Sequence, residues 1–396
     1  KPIVFYHAGL WHPFPRNTSD ERTPPMAITN PPYAYDIVGS FLRPEALKQA
    51  RADFAAGTIT REQLAAAEDA AIADLVEKEK QAGLKAVTDG EFRRATWHHD
   101  FMWGFNGVGH SKTQTGLPFH GEAAMIDDTY LTGKVSVGDH PFVEHFKFVK
   151  ALEDENTVAK QTIPAPAQFL EQMIMPFALE NTKKYYNDTE ELVQDIAKGY
   201  RKVIADLYAA GCRNIQFDDC SWGMIVDPNA KAIFGVDDAG LEDIKRLLLR
   251  INNLAIEGKP EDLVITTHVC RGNFHSTYAS SGAYDSVAET LFAGENVSTY
   301  YLEFDDERSG GFEPLKAVSG DKKVVLGLIT SKKPELEDKQ TVIDRIHDAA
   351  KYISLDRLCL SPQCGFASCE IGNKLTEEEQ WAKLALVKEI AEEVWG

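Results

Sequence analysis

Eight times along the chain, a short run rich in β-branched and aromatic residues gives way to a polar loop and then an amphipathic stretch. The β-rich runs are Tyr35–Ser40, Ala86–Glu91, Val158–Pro164, Asn214–Asp218, Leu263–His268, Ser298–Glu303, Lys323–Leu328 and Arg357–Ser361. The clearest helical patterns between and after them are Arg61–Ala82, Thr189–Ala210, Gly240–Glu257, Lys333–Ile353 and Thr376–Val394. The last carries Trp381, Leu384, Val387 and Ala391 on one stripe. Gly83 and Gly211 fall just past two helical patterns, where a left-handed cap is wanted. Strands separated by helices pair in parallel, and eight such units predict an α/β fold of the (β/α)8 TIM-barrel type. A doubly wound open sheet is the rival, but the chain has no Gly-rich dinucleotide or P-loop signature to favour it.

Two segments stand outside the repeat. Residues 1–32 are rich in Pro, Asn, Thr and Arg without a period, which predicts an extended N-terminal arm. Phe92–Glu155 lacks a clean unit and predicts an insertion after the second strand of a single barrel spanning residues 33–396. Within it, Trp97-His98-His99-Asp100 invites a second metal, but neighbours on an extended chain point apart, so aromatic packing or substrate-side lining is the expectation.

Charge limits the partners. A formal net charge of -19 repels phosphate, which speaks against nucleic acid and anionic membrane. No apolar run is long enough to span a bilayer. The six cysteines, at 212, 220, 270, 359, 364 and 369, sit in a large acidic chain rather than a small secreted one, so reduced thiols and a cytoplasmic location are expected. A homodimer is compatible with this composition.

In a barrel, chemistry is built from the C-terminal ends of strands. The fifth run ends in His268-Val-Cys270, the sixth in Glu303, and the eighth in Pro-Gln-Cys364-Gly. His-x-Cys at a strand end puts both side chains on one side, because alternation has period two. Imidazole, two thiols and a carboxylate suit tetrahedral zinc, Zn2+. The alternative is packing, since cysteine is among the most buried residue types even when inert. Cys212, Cys220, Cys359 and Cys369 are read as packing thiols.

These residues resemble those of the cobalamin-independent methionine synthase family, in its C-terminal catalytic barrel. The set His268-x-Cys270, Glu303 and Pro-Gln-Cys364-Gly resembles the family's zinc site. Ile215-Gln216-Phe217-Asp218-Asp219 is similar to its Ile-Gln-Ile-Asp-Glu-Pro strand end. Ile37-Val38-Gly39-Ser40-Phe41 resembles its Ile-Gly-Ser-Phe, and Thr88-Asp89-Gly90-Glu91 its Gly-Glu segment. The resemblance spans about residues 35 to 396 with motif order kept. It implies a zinc methyltransferase that moves a methyl group from methyltetrahydrofolate or a related donor to the thiol of homocysteine, giving methionine. It further implies that His268, Cys270, Glu303 and Cys364 hold zinc, and that Glu91 and Asp218 are the catalytic carboxylates that pair with the substrate ammonium. Ser40 and the backbone near Val38 and Gly39 would hold its carboxylate.

Departures from the family pattern bear on the donor. The third strand ends in Ile163-Pro164-Ala165-Pro166 where the long enzymes have a tryptophan segment, and Asp218-Asp219-Cys220 replaces Asp-Glu-Pro. Gly327-Leu-Ile-Thr-Ser331 has no histidine where the long enzymes place a proposed acid. Arg43, Arg93, Arg94, Lys332 and Lys333 are candidates for an anionic folate tail, or else surface charge. Another thiol, a non-folate donor, a related barrel decarboxylase and a non-catalytic zinc-binding barrel are the competing readings.

Overall fold

The computed structural model describes residues 31–396, so residues 1–30 of the expected arm lie outside the described residues. Strands run β1 (Ala86–Val87), β2 (Val158–Ala159), β3 (Gln161–Pro164), β4 (Asn214–Asp219), β5 (Val264–Val269), β6 (Thr299–Glu303), β7 (Lys323–Ile329) and β8 (Leu358–Pro362) around the barrel. Strands β3 to β8 form one parallel sheet with each strand beside its sequence neighbour, and β1 pairs in parallel with β2. The sheet closes through the segment at Tyr35, which bridges Leu360 in parallel. Phe41 N–H donates to Gly90 O at 3.1 Å, linking that segment to the loop after β1. β2 and β3 are the two halves of one run broken at Lys160, so with the Tyr35 segment eight positions surround one axis, and the fold is a (β/α)8 barrel.

The Tyr35–Ser40 run differs from expectation in being extended without a continuous ladder. Its carbonyls are satisfied by side chains instead. Lys160 Nζ donates to Ile37 O at 2.5 Å, Gln216 Nε2 to Val38 O at 2.8 Å, and Thr88 Oγ1 to Gly39 O at 2.7 Å. Buried carbonyls need partners, not a particular kind of partner. The second run is likewise shorter than expected, because Gly90 and Glu91 both take left-handed backbone (φ 64° each) and turn the chain away.

The helices outside the sheet include α1 (Arg61–Gln81), α2 (Thr189–Ala209), α3 (Asp238–Ile256), α4 (Lys339–Ala349) and α5 (Glu377–Trp395). Gly83 (φ 82°) and Gly211 (φ 96°) follow α1 and α2 in the expected left-handed conformation. Helix α4 begins six residues later than the periodicity predicts. Pro334 disfavours helix before it, and Asp338 caps the new start by accepting from Thr341 N–H at 2.8 Å.

Strand residues are almost all buried; β4 and β6 are buried at every position. Inside the barrel, Lys160 and Asp36 pair at 3.7 Å with both side chains fully inaccessible. Such a pair survives burial only when further bonds offset desolvation. Tyr301 Oη donates to Asp36 Oδ2 at 2.8 Å, and the Lys160 ammonium sits 4.6 Å from the Tyr301 ring centroid.

Between β1 and β2 the chain forms a short helix (His99–Met102), two antiparallel ribbons and a helix at Pro141–Lys150. One ribbon pairs Leu117–Phe119 with Glu122–Ala124. Phe119 packs tilted against Phe274, 5.3 Å between centroids, and His120 N–H donates to Tyr278 O at 2.7 Å. The segment thus reaches the loop that follows β5, at the mouth of the barrel.

Candidate metal centre

Strand register assembles the site. Asp218 lies opposite His268 in the β4–β5 pairing, and Glu303 lies opposite Gly327 in the β6–β7 pairing. A Cβ on Gly327 would stand 2.7 Å from Leu302 O and 2.6 Å from Gln363 Cα, so the absence of a side chain lets β7 and the loop after β8 close in. One ligand atom from each of His268, Cys270, Glu303 and Cys364 lies within 4.8 Å of the others, and all four residues are buried. Cys270 Sγ is 3.3 Å from Glu303 Oε1 and 3.6 Å from Cys364 Sγ.

The supporting bonds orient these groups toward one point. His268 Nδ1 approaches Tyr301 O at 3.2 Å, which places the proton on Nδ1 and leaves the Nε2 lone pair facing the cluster. His268 Nε2 and Glu303 Oε2 are buried without a hydrogen-bond partner. Unsatisfied buried acceptors are costly, and a cation held between them removes that cost. Tyr284 Oη accepts from Glu303 N–H at 2.9 Å and from Arg271 Nη1 at 2.8 Å, fixing the end of β6. Without a metal, protons distribute unevenly over the sulfurs. Hydrogen bonds from Cys220 and Cys364 hold Cys270 well below the ordinary thiol range and raise those two donors well above it. Burial, with Cys270 beside it, pushes Glu303 up to about 8. Burial would lower His268, but Cys270, Asp218 and Glu303 outweigh it and raise its proton affinity. Soft thiols with imidazole and one carboxylate are a fitting donor set for zinc.

A small cavity of about 30 Å³ adjoins the cluster and is lined by Val38, Ser40, Glu91, Trp97 and Asp218 together with His268, Cys270 and Cys364. Gly39 lies behind this wall, where a Cβ would come within 2.8 Å of Thr162 Cγ2. Glu91 Oε1 accepts from Thr162 Oγ1 at 3.0 Å and pairs with Arg94 at 3.3 Å, whereas Oε2 is buried without a partner. Asp218 Oδ1 accepts from Gln216 Nε2 at 2.7 Å. Burial raises the Asp218 carboxyl to about 7, with His268 opposing and Glu91 reinforcing the shift. Ser40 Oγ accepts from Ala367 N–H at 3.2 Å, which leaves its own proton to point elsewhere.

Residues 34–393 match the family model described as the cobalamin-independent synthase catalytic domain. The chain belongs to the cobalamin-independent methionine synthase family. Relatives include the uncharacterized protein YxjG of Bacillus subtilis, 45% identical and covering 92% of this chain and 95% of that protein. A methionine synthase of Saccharolobus solfataricus is 22% identical, over 83% of this chain and 86% of its own. Among solved structures, a putative vitamin-B12 independent methionine synthase from Listeria monocytogenes superposes with a TM-score of 0.73 at 38% identity. It covers 92% of this chain and 98% of its own. The chain resembles the family's C-terminal catalytic domain and is a methionine synthase-like methyltransferase.

Against that family background, several sequence expectations change. Arg43 is a buried clamp, donating to Ala367 O at 2.7 Å, Glu91 O at 2.8 Å, and the carbonyls of Phe41 and Arg94 at 3.1 Å each. Arg93 is engaged by Glu68 at 3.2 Å and by Asp69 at 2.5 Å. Arg94 donates to Thr162 O at 2.7 Å and touches Glu91. These three are committed to the protein and are not available to a folate tail; Lys333 is exposed, and Lys332 is buried beside the cluster. The His98 and His99 rings do not point apart: the helix capped by His98 sets them tilted together, 3.8 Å between centroids, between Trp97 and Trp103. Cys220, read as packing, lines the cavity beside Cys270, whose proximity raises its proton affinity. Its position two residues past Asp218, on the strand end, was the signal that could have placed it there. Asn273 and Ser368 also line the cavity, and nothing in their sequence context marks them.

Proposed function

We propose that this chain is a zinc-dependent methyltransferase acting on the thiol of homocysteine, using methyltetrahydrofolate or a related donor, with residues 33–396 as one catalytic unit. His268, Cys270, Glu303 and Cys364 are its metal ligands. Zinc there would lower the proton affinity of an incoming thiol, so that sulfur is a competent nucleophile at neutral pH.

The observation that carries the amino-acid side is the pair of buried carboxylates in the same cavity as the metal-type cluster. Glu91 Oε2 has no partner within the protein, and Asp218 is held near neutrality by burial. An ammonium inserted between them satisfies the first and returns the second to its charged form through charge-assisted bonds. Ser40 supplies a hydroxyl proton to a carboxylate beside Val38 and Gly39. A ligand with thiol, ammonium and carboxylate thus finds a complementary group for each. Fixing the thiol at the cluster converts methyl transfer into an effectively intramolecular step.

A donor without a polyanionic tail is a second reading, favoured by the internal engagement of Arg43, Arg93 and Arg94. The test is a donor panel with zinc-loaded protein and homocysteine, scoring methionine by mass. Methionine from methyltetrahydrofolate or a related donor is expected. Methionine from none, with another thiol methylated instead, would replace homocysteine as the substrate.

A further inference from the structure

The metal-type cluster explains its unsatisfied acceptors but not the donors that crowd it. Lys332 Nζ and Gln363 Nε2 are both buried without a hydrogen-bond partner, and neither an ammonium nor an amide nitrogen ligates a metal. The two residues sit at adjoining strand ends, Lys332 after β7 and Gln363 after β8. Gln363 Oε1 accepts from Ser331 N–H at 2.6 Å and Ser331 Oγ at 3.0 Å, which sets its amide beside the residue preceding Lys332. Lys332 is 7% exposed and Gln363 1%. The Lys332 ammonium lowers the proton affinity of both Glu303 and Cys364, so it stands at the cluster's edge on the β7–β8 side. Ser40, Glu91 and Asp218 take the opposite, β1–β4 side of the mouth.

A buried ammonium with no acceptor is among the costliest groups a fold can keep. An oxygen acceptor supplied by a ligand would pair with it and with the Gln363 amide together. We propose that Lys332 and Gln363 form the subsite for the methyl donor, binding an oxyanion or carbonyl oxygen carried near its methyl-bearing atom. This rests on the methyltransferase reading above and narrows its donor class. The reacting centre of a sulfonium donor is cationic and would be repelled by Lys332 across a low-dielectric site. The donor is therefore neutral or anionic at that end.

Two measurements test this. Zinc-loaded crystals soaked in sodium bromide should show an anomalous peak within hydrogen-bonding reach of Lys332 Nζ and Gln363 Nε2. The peak should vanish in Lys332→Met and weaken in Gln363→Leu, the second variant serving if the first does not fold. No wild-type peak overturns the subsite. In solution, Lys332→Met should raise the KM for 5-methyltetrahydrofolate by about tenfold or more, the loss of one charge-assisted bond, while homocysteine still adds its sulfur to the zinc shell. An unchanged KM, or faster turnover with S-adenosylmethionine than with 5-methyltetrahydrofolate, also overturns it. If neither donor turns over, the bromide result decides. Failure of zinc loading or of proton release would instead sink the methyltransferase reading, and leaves the bromide peak to be scored separately.

Discussion

Asp218 shows how one position serves both binding and pH response. Burial raises its carboxyl to about 7, against an ordinary value of 3.8. A carboxyl raised in the folded state favours folding at low pH and opposes it as pH rises through the folded value. Asp218→Asn removes that opposition, so the metal-free variant should melt higher than wild type at pH 8, with the gap narrowing toward pH 5; calorimetry across that range checks it. The same substitution removes the partner of a substrate ammonium and should raise the KM for homocysteine by about tenfold to a hundredfold in steady-state assays. Cys364→Ser should drop bound zinc well below one equivalent, measured by metal analysis after dialysis, because three remaining ligands and a hydroxyl hold zinc poorly. At this scale the sequence was informative where chemistry is encoded in residue type: the His, two Cys and Glu stand out at strand ends. It left Lys332 and Arg43 as folate-tail candidates or surface charge, and only packing shows Arg43 clamped to five carbonyls and Lys332 buried without an acceptor.

Elements bring these residues together through contacts that tolerate little volume. A Cβ on Gly365 would lie 1.8 Å from Ser40 Oγ, so the loop after β8 and the first barrel segment meet at that point. Gly365→Ala should displace Ser40, cost about 1–3 kcal/mol in denaturant unfolding, and raise the homocysteine KM. Arg43 ties the same segment to the loops after β1 and β8, and Arg43→Met would strand several buried carbonyls, costing about 3 kcal/mol or more by the same measurement. Strand positions were legible because apolar β-branched runs between amphipathic helices leave few alternatives. Their lengths were not: the Tyr35–Ser40 run has the pattern of a strand, but Lys160, Gln216 and Thr88 take its carbonyls in place of a neighbouring strand. That substitution depends on side chains more than 45 residues away, which no local window contains.

For the whole molecule, the barrel converts eight distant sequence positions into one rim, and the order of motifs along the chain becomes their order around the mouth. No helix among the described residues is long and apolar enough to cross a membrane. Because the metal-type ligands come from β5, β6 and the loop after β8, zinc would bind the folded chain far better than the unfolded one. The central claim is that zinc at these four residues takes the substrate thiol. X-ray absorption at the zinc edge, with proton release followed in the same samples, tests it most directly. Homocysteine should add one sulfur to the zinc shell and release about one proton per site, and the Cys364→Ser variant should do neither. An unchanged zinc shell, or equal homocysteine binding by zinc-free Cys364→Ser, would contradict it.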